Sequence, residues 1–161
     1  MKVKVTERLT DTPCYDAEAV LSPKVDKILC TSTRSGDLEL WTMSLDGSNL
    51  KQITFDLCYD GGAFFSPDGS KIVFRASRPK TAEETREYRA LLQQGLVAPT
   101  NMANYTCNAD GSNLHQVTQL GKANWAPFFH PSGKKIIFSS IHHSTRGYDF
   151  QLYMFNEDGT G

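Results

Sequence analysis

One pattern of short apolar runs, written three times and punctuated by hairpin dipeptides, predicts an all-β fold made of β-propeller blades. The first copy runs Tyr15-Asp16, then Ala19-Val20-Leu21 and Ser22-Pro23. The second runs Tyr59-Asp60, then Ala63-Phe64-Phe65 and Ser66-Pro67, and the third runs Asn124, then Pro127-Phe128-Phe129 and His130-Pro131, at identical spacing. A second run follows at a fixed offset in each copy: Ile28-Leu29-Cys30, Ile72-Val73-Phe74 and Ile136-Ile137-Phe138. A third run reads Leu40-Trp41-Thr42-Met43, Tyr105-Thr106-Cys107 and Leu152-Tyr153-Met154. Each copy closes on Asp46-Gly47, Asp110-Gly111 or Asp158-Gly159, and the first two lead into a fourth short strand within residues 50–54 and 114–118. Three four-stranded antiparallel repeats are therefore expected.

The turns support the same reading. Pro67-Asp68-Gly69 and Pro131-Ser132-Gly133 supply the fixed φ and the left-handed residue that tight hairpins require. The first copy has Pro23-Lys24-Val25-Asp26 instead, which predicts a weaker turn. Thr10, Thr54 and Thr118 anchor blades at about residues 10–53, 54–117 and 118–161, with residues 3–10 left as a closing outer strand. The second interval is longer, 64 residues against 44, and the 20 extra residues fall in a helical insertion at 79–100. Thr81-Ala82-Glu83-Glu84 is a capping box, Tyr88, Leu91 and Leu92 share one helical face, and Gly95 ends the turn. The insertion reads either as a partner-binding arm or as a lid on its own blade, and in both cases as a segment the β core does not need. Residues 142–147 predict a longer hairpin in the third copy, and Met102-Ala103-Asn104 predicts a weak start to the third strand of the second.

Composition narrows the function. Seventeen Lys and Arg against 18 Asp and Glu leave no field to hold nucleic acid or an anionic membrane. No window is apolar enough to span a membrane as a helix. Cys14, Cys30, Cys58 and Cys107 form neither a disulfide framework nor paired zinc knuckles; Cys14 and Cys58 hold equivalent positions, so neighbouring thiols across two blades are possible. A Walker loop, G-x-G-x-x-G, H-E-x-x-H and G-x-S-x-G are all missing, so no catalytic residue, metal site or cofactor is assigned. His115, His130, His142 and His143 read as surface residues, and the sequon at Asn104 opens a predicted strand.

The stretches F-S-P-D-G-S-K-I-V-F at 65–74, L-x-L-W-x-M-x-x-D-G-S-x-L from Leu38 to Leu50 and N-A-D-G-S-N-L at 108–114 resemble the WD40-like β-propeller (PD40) repeats of TolB-family proteins. The insertion resembles one found in a TolB-like subgroup. The resemblance implies about six blades, so three make half of a six-bladed ring. Two chains would close it if residues 3–10 of each completed the third blade of the other, a two-fold homodimer with no open edge. It also implies a non-catalytic scaffold for protein–protein interaction in envelope-associated complexes, and hence the periplasm. Free cysteines and the absence of a signal peptide fit the cytoplasm if Met1 is the native start. Two alternatives stay open: the propeller portion of a prolyl-oligopeptidase-like serine peptidase whose catalytic domain lies elsewhere, and a small-molecule or cation-binding propeller.

Candidate binding residues sit where the strand nearest the axis begins, because equivalent positions of successive blades face one another around the channel mouth. They are Asp16, Asp60 and Asn124, with Tyr15, Tyr59 and Trp125 beside them. Oxygen ligands there suit a hard cation, whereas the plainer role is to cap the strand or bond the adjacent blade.

Overall fold

A computed structural model describes residues 7–98 and 101–161. The first blade is the antiparallel sheet β1 (Asp16–Leu21), β2 (Ile28–Ser32), β3 (Glu39–Met43) and β4 (Lys51–Gln52), hydrogen-bonded in chain order. The second repeats it with β5 (Asp60–Phe65), β6 (Lys71–Ala76), β7 (Ala103–Asn108) and β8 (His115–Gln116), and α1 (Ala82–Leu92) leaves between β6 and β7. The third has three strands, β9 (Asn124–Phe129), β10 (Lys135–Ser140) and β11 (Gln151–Asn156). The sheets are four-, four- and three-stranded, so the third repeat has one strand fewer among the described residues than the four expected. Of the proposed outer strand, residues 3–6 lie outside the described residues and residues 7–10 form no strand here.

The blades bury their apolar faces against one another. Leu29, Leu40 and Ile53 of the first blade pack on Ala63, Ile72 and Phe74 of the second. Val73 and Val117 of the second pack on Phe129, Ile136, Phe138 and Phe155 of the third. Among the described residues the far face of the third blade has no such cover: Leu152 and Met154 are 74% and 46% exposed, and Phe128, whose ring meets Phe64 of the second blade, is still 49% exposed. Of the flank residues patterned for burial at the two ends, Ile28 is buried, Val20 and Ile137 are half-buried and Phe128 is exposed.

Two repeated backbone features hold this arrangement. Each inner strand carries a bulge whose first residue is left-handed: Glu18 (φ 56°), Gly62 (φ 58°) and Ala126 (φ 49°). The closing glycines of the Asp-Gly turns rest on the preceding blade. A Cβ on Gly111 would come 2.3 Å from the Ile53 carbonyl oxygen, and one on Gly159 would come 3.2 Å from that of Val117. Gly47 meets the Leu9 carbonyl in the same way, at 2.4 Å, so Leu9 stands where the end of an outer strand stands in the other two junctions.

The sequence departures are absorbed locally. Val25 adopts φ 54° in the turn position that Gly69 and Gly133 fill, and its N–H still donates to the Ser22 carbonyl at 2.9 Å. The Ser22 hydroxyl donates to Asp26 at 2.6 Å and accepts the Asp26 N–H, bonds that stand in for a glycine. At the start of β7, Met102 bridges to Ala123 of the next blade, and the Asn104 N–H donates to Thr118 Oγ1 at 2.7 Å. Tertiary contacts thus secure a strand start whose sequence is weak.

Thr81 caps α1, the Glu84 side chain reaches back to the Thr81 N–H, and Gly95 (φ 71°) ends the turn. The helix packs beyond its own blade. Tyr88 is buried with Leu38, Cys58, Tyr59 and Met102, Leu92 and Trp125 flank that cluster, and the Tyr88 hydroxyl donates to Asp37 of the first blade. The insertion is neither a free arm nor a lid on the second blade alone; it is a cap clasped to two blades. No described helix is long and apolar enough to cross a membrane.

Candidate axial site

The starts of the second and third inner strands lie at the end of the blades where α1 packs, with Tyr59 and Trp125 in the cluster around Tyr88. Asp16 accepts from Arg34 Nη2 at 2.8 Å, and Asp60 accepts from Arg78 Nη1 at 2.5 Å, each pair separated by 18 residues. The same offset from Asn124 falls on His142, and the pairing changes accordingly. Asn124 Nδ2 donates to the carbonyls of Met102 and Gly121, while His142 Nδ1 meets the Leu120 carbonyl. Arg34 and Arg78 went unnoticed in the sequence, although the repeated Asp-to-Arg spacing was there to find. With guanidinium groups on two of the three side chains, these positions hold strands and blades together. Among the described residues no cluster of three His, Cys, Asp or Glu is placed to hold a metal ion.

The aromatic neighbours divide. Tyr15 is 51% exposed, Tyr59 is buried, and Trp125 is half-buried and packs on Phe150 with ring centres 5.1 Å apart. Tyr59 belongs to a polar latch between the first two blades. There Arg75 Nη2 donates to Glu18 Oε1 and to the Tyr59 hydroxyl, each at 2.5 Å, and the Gly62 N–H donates to Glu18 Oε2 at 2.7 Å. Burial works against the Glu18 carboxylate, yet the Arg75 charge and these bonds hold it below the usual glutamate range.

Asp60 and Glu39 are two further buried ionisable groups at the same junction. Asp60 is fully buried, and burial pushes it up to about 6 against the pull of Arg78. Glu39, 3% exposed on β3, is pushed up to about 8, first by burial and then by the nearby charges of Asp60 and Asp37. Thr54 joins them: its hydroxyl donates to Glu39 Oε2 at 2.5 Å and accepts the Leu40 N–H at 2.9 Å. The Arg78 guanidinium also lies over the Tyr105 ring, 5.0 Å from its centre. Glu39 escaped the sequence reading because it looks like an ordinary polar strand start, and its counterpart at the start of β7 is Ala103.

The thiols are structural. All four are free; Cys58 bonds the Ser77 carbonyl, and Cys14 sits with Thr12, Asp16 and Ser32 in its own blade rather than beside Cys58. Burial raises Cys30 and Cys58 to about 11 and Cys107 to about 12, which withholds the thiolate form. His130 Nδ1 does meet the Ser132 hydroxyl at 2.9 Å, but within an exposed hairpin turn where it also accepts the Ser132 N–H. An open groove of about 790 Å³ runs between α1 and the second blade, lined by Arg78, Lys80, Glu87, Leu91 and Tyr105.

No protein-family model matches the sequence, and no curated protein resembles it closely. The resemblance to PD40 repeats thus rests on the motifs themselves. Solved structures do match. A TolB structure from Agrobacterium tumefaciens superposes with a TM-score of 0.69 at 21% identity over 95% of this chain and 49% of its own length. TolB from Acinetobacter baumannii gives 0.70 at 19% identity over 95% of this chain and 32% of its own. A puromycin-hydrolyzing peptidase of Mycobacterium tuberculosis gives 0.64 at 13% identity, over 92% of this chain and 23% of its own length. The fold is a TolB-like β-propeller, and the chain spans about half the length of the first of these proteins and a third of the second.

Proposed function

We propose that the chain is a non-catalytic β-propeller scaffold for protein–protein interaction, working in an envelope-associated complex, and that one of its partners is a second copy of itself. One observation supports the reading: among the described residues the third blade leaves Leu152 and Met154 exposed on its outward face, while Leu9 occupies the place of an outer-strand end beside the first blade. Every uncovered Å² of that face forgoes about 25 cal/mol. A second chain that sets its first blade on the face and residues 3–10 along β11 covers both, and the exchange is reciprocal. Two chains then form one six-bladed ring without open edges. Likeness to peptidase propellers supports the fold and gives no nucleophile to this chain.

Two differently tagged copies of the chain test the reading. Each retains the other on an affinity matrix, and the paired change Leu152→Lys with Met154→Lys abolishes retention while the variant keeps a cooperative melt. Retention unchanged by those charges removes the blade face as the contact. Peptide or ester turnover abolished by a point change inside the chain contradicts the non-catalytic role.

A further inference from the structure

The first two blades build the same seat around a threonine hydroxyl and complete it differently. In the first blade Thr54 Oγ1 accepts the Leu40 N–H at 2.9 Å and donates to the Glu39 carboxylate at 2.5 Å. In the second, 64 residues on, Thr118 Oγ1 accepts the Asn104 N–H at 2.7 Å, and Gln116 Nε2 donates to the Thr118 carbonyl at 2.8 Å just as Gln52 Nε2 donates to that of Thr54. The position of Glu39, however, is taken by Ala103. Thr118 is only 4% exposed, and among the described residues no acceptor takes its hydroxyl proton.

Ala103 and Thr118 both line the groove between α1 and the second blade. The acidic residues around the first seat change with it: Asp37, Glu39 and Asp60 correspond to Asn101, Ala103 and Asn124. Arg78, Lys80 and Lys122 line the groove against Glu84 and Glu87, and the Glu84 carboxylate is already taken by the Lys80 and Thr81 N–H groups. Arg78 is engaged by Asp60, whereas Lys122 Nζ meets only the neutral carbonyls of His142 and Ser144. A buried hydroxyl with an unused proton, beside cations and relieved of neighbouring carboxylates, suits an anionic oxygen supplied from outside the chain.

We propose that this groove takes an acidic peptide segment of a partner protein, with a glutamate carboxylate of that segment accepting the Thr118 hydroxyl as Glu39 accepts that of Thr54 in the first blade. The groove is open along its length, between α1 and β8, so a small free acid would stay largely in water, whereas an extended chain fills it. Leu91 and the Tyr105 ring offer apolar contact to the stem of the glutamate. This site lies apart from the bare face of the third blade, and it rests on the scaffold reading only in taking the partner to be a protein.

Amide shifts of the nitrogen-labelled full chain, titrated with the blocked peptide acetyl-Gly-Glu-Gly-Glu-Gly-amide and with its glutamine counterpart, read the groove. The glutamate peptide is expected to shift Ala103, Thr118 and the α1 residues Glu87 and Leu91, and to bind about tenfold more tightly than the glutamine peptide, as a charged acceptor does over a neutral one. Ala103→Glu lets the chain set its own carboxylate on Thr118 and is expected to weaken the glutamate peptide by about tenfold or more. Equal affinity for the two peptides, no shift at millimolar peptide, shifts confined to the third blade, or undiminished binding to Ala103→Glu overturns the proposal. Should Ala103→Glu not fold, the two peptides compared on the unaltered chain decide alone. Retention of one tagged copy by another reads self-association separately, so a failed titration leaves that result standing.

Discussion

The junction between the first and second blades and the junction between the second and third do the same mechanical job with opposite chemistry. The first joins its apolar seam to a set of charged groups, Glu18 with Arg75 and Asp60 with Arg78, and adds a helix that straddles the seam. The second is aromatic: Phe64 meets Phe128 edge to face at 4.9 Å across it, and Phe138 and Phe155 of the third blade pack with Val73 and Val117 of the second. Among the described residues its one ion pair, Lys71 with Glu157, is partly exposed to water. An apolar seam is insensitive to pH and tolerates nothing that leaves a hole. A charged seam tolerates loss of volume better but depends on every partner being present and in the right protonation state.

The largest expected effect falls on the aromatic seam. Phe138→Ala removes a fully packed ring between two blades and costs about 3–5 kcal/mol, read by urea denaturation, with the same loss at pH 5 and pH 8. A loss that varies with pH would break the contrast between the junctions.

Arg78→Ala comes next, costing about 3 kcal/mol at pH 7 because it strands Asp60 in a dry site. The pH trend follows from Asp60 being raised to about 6: the folded chain holds that proton more tightly than the unfolded one. Its contribution is therefore fully present below the unfolded value near 3.8 and is lost as pH rises through 6. The deficit of Arg78→Ala should shrink on acidification toward pH 5, and a deficit that grows there contradicts the assignment.

Tyr88→Phe keeps the packing of α1 and deletes only its bond to Asp37, for about 1–2 kcal/mol by thermal melting. An unchanged melting temperature would mean that the cap is held by apolar contact alone. The smallest effect is a gain. Val25→Gly relieves a β-branched residue at positive φ and is expected to stabilise the chain by about 0.5–1 kcal/mol after the entropy cost of glycine.

How much of this the sequence disclosed follows from how local each determinant is. Blade strands, hairpin glycines and the capping box at Thr81 are set within a few residues, so the repeat and the helix stand out. The bulges at Glu18 and Ala126 do not, because nothing in either side chain announces a left-handed backbone. The clasp of α1 was hidden for a different reason: Tyr88 and Asp37 are 51 residues apart, and helical periodicity shows that Tyr88 is buried without showing against what. Asp16, Asp60 and Asn124 were found as a set, but the arginines that engage the two aspartates lie one hairpin away. Glu39 was invisible because its environment is made by Thr54 and Asp60, both beyond its own strand.

The bare face of the third blade remains the feature that neither junction explains, and the mass of the folded species tests its role most directly. Light scattering of the chain at micromolar concentration is expected to give twice the 17.9 kDa of one chain, with removal of residues 1–10 lowering it to the single-chain mass. A folded 17.9 kDa species with one sharp melting transition would contradict ring closure by a second copy.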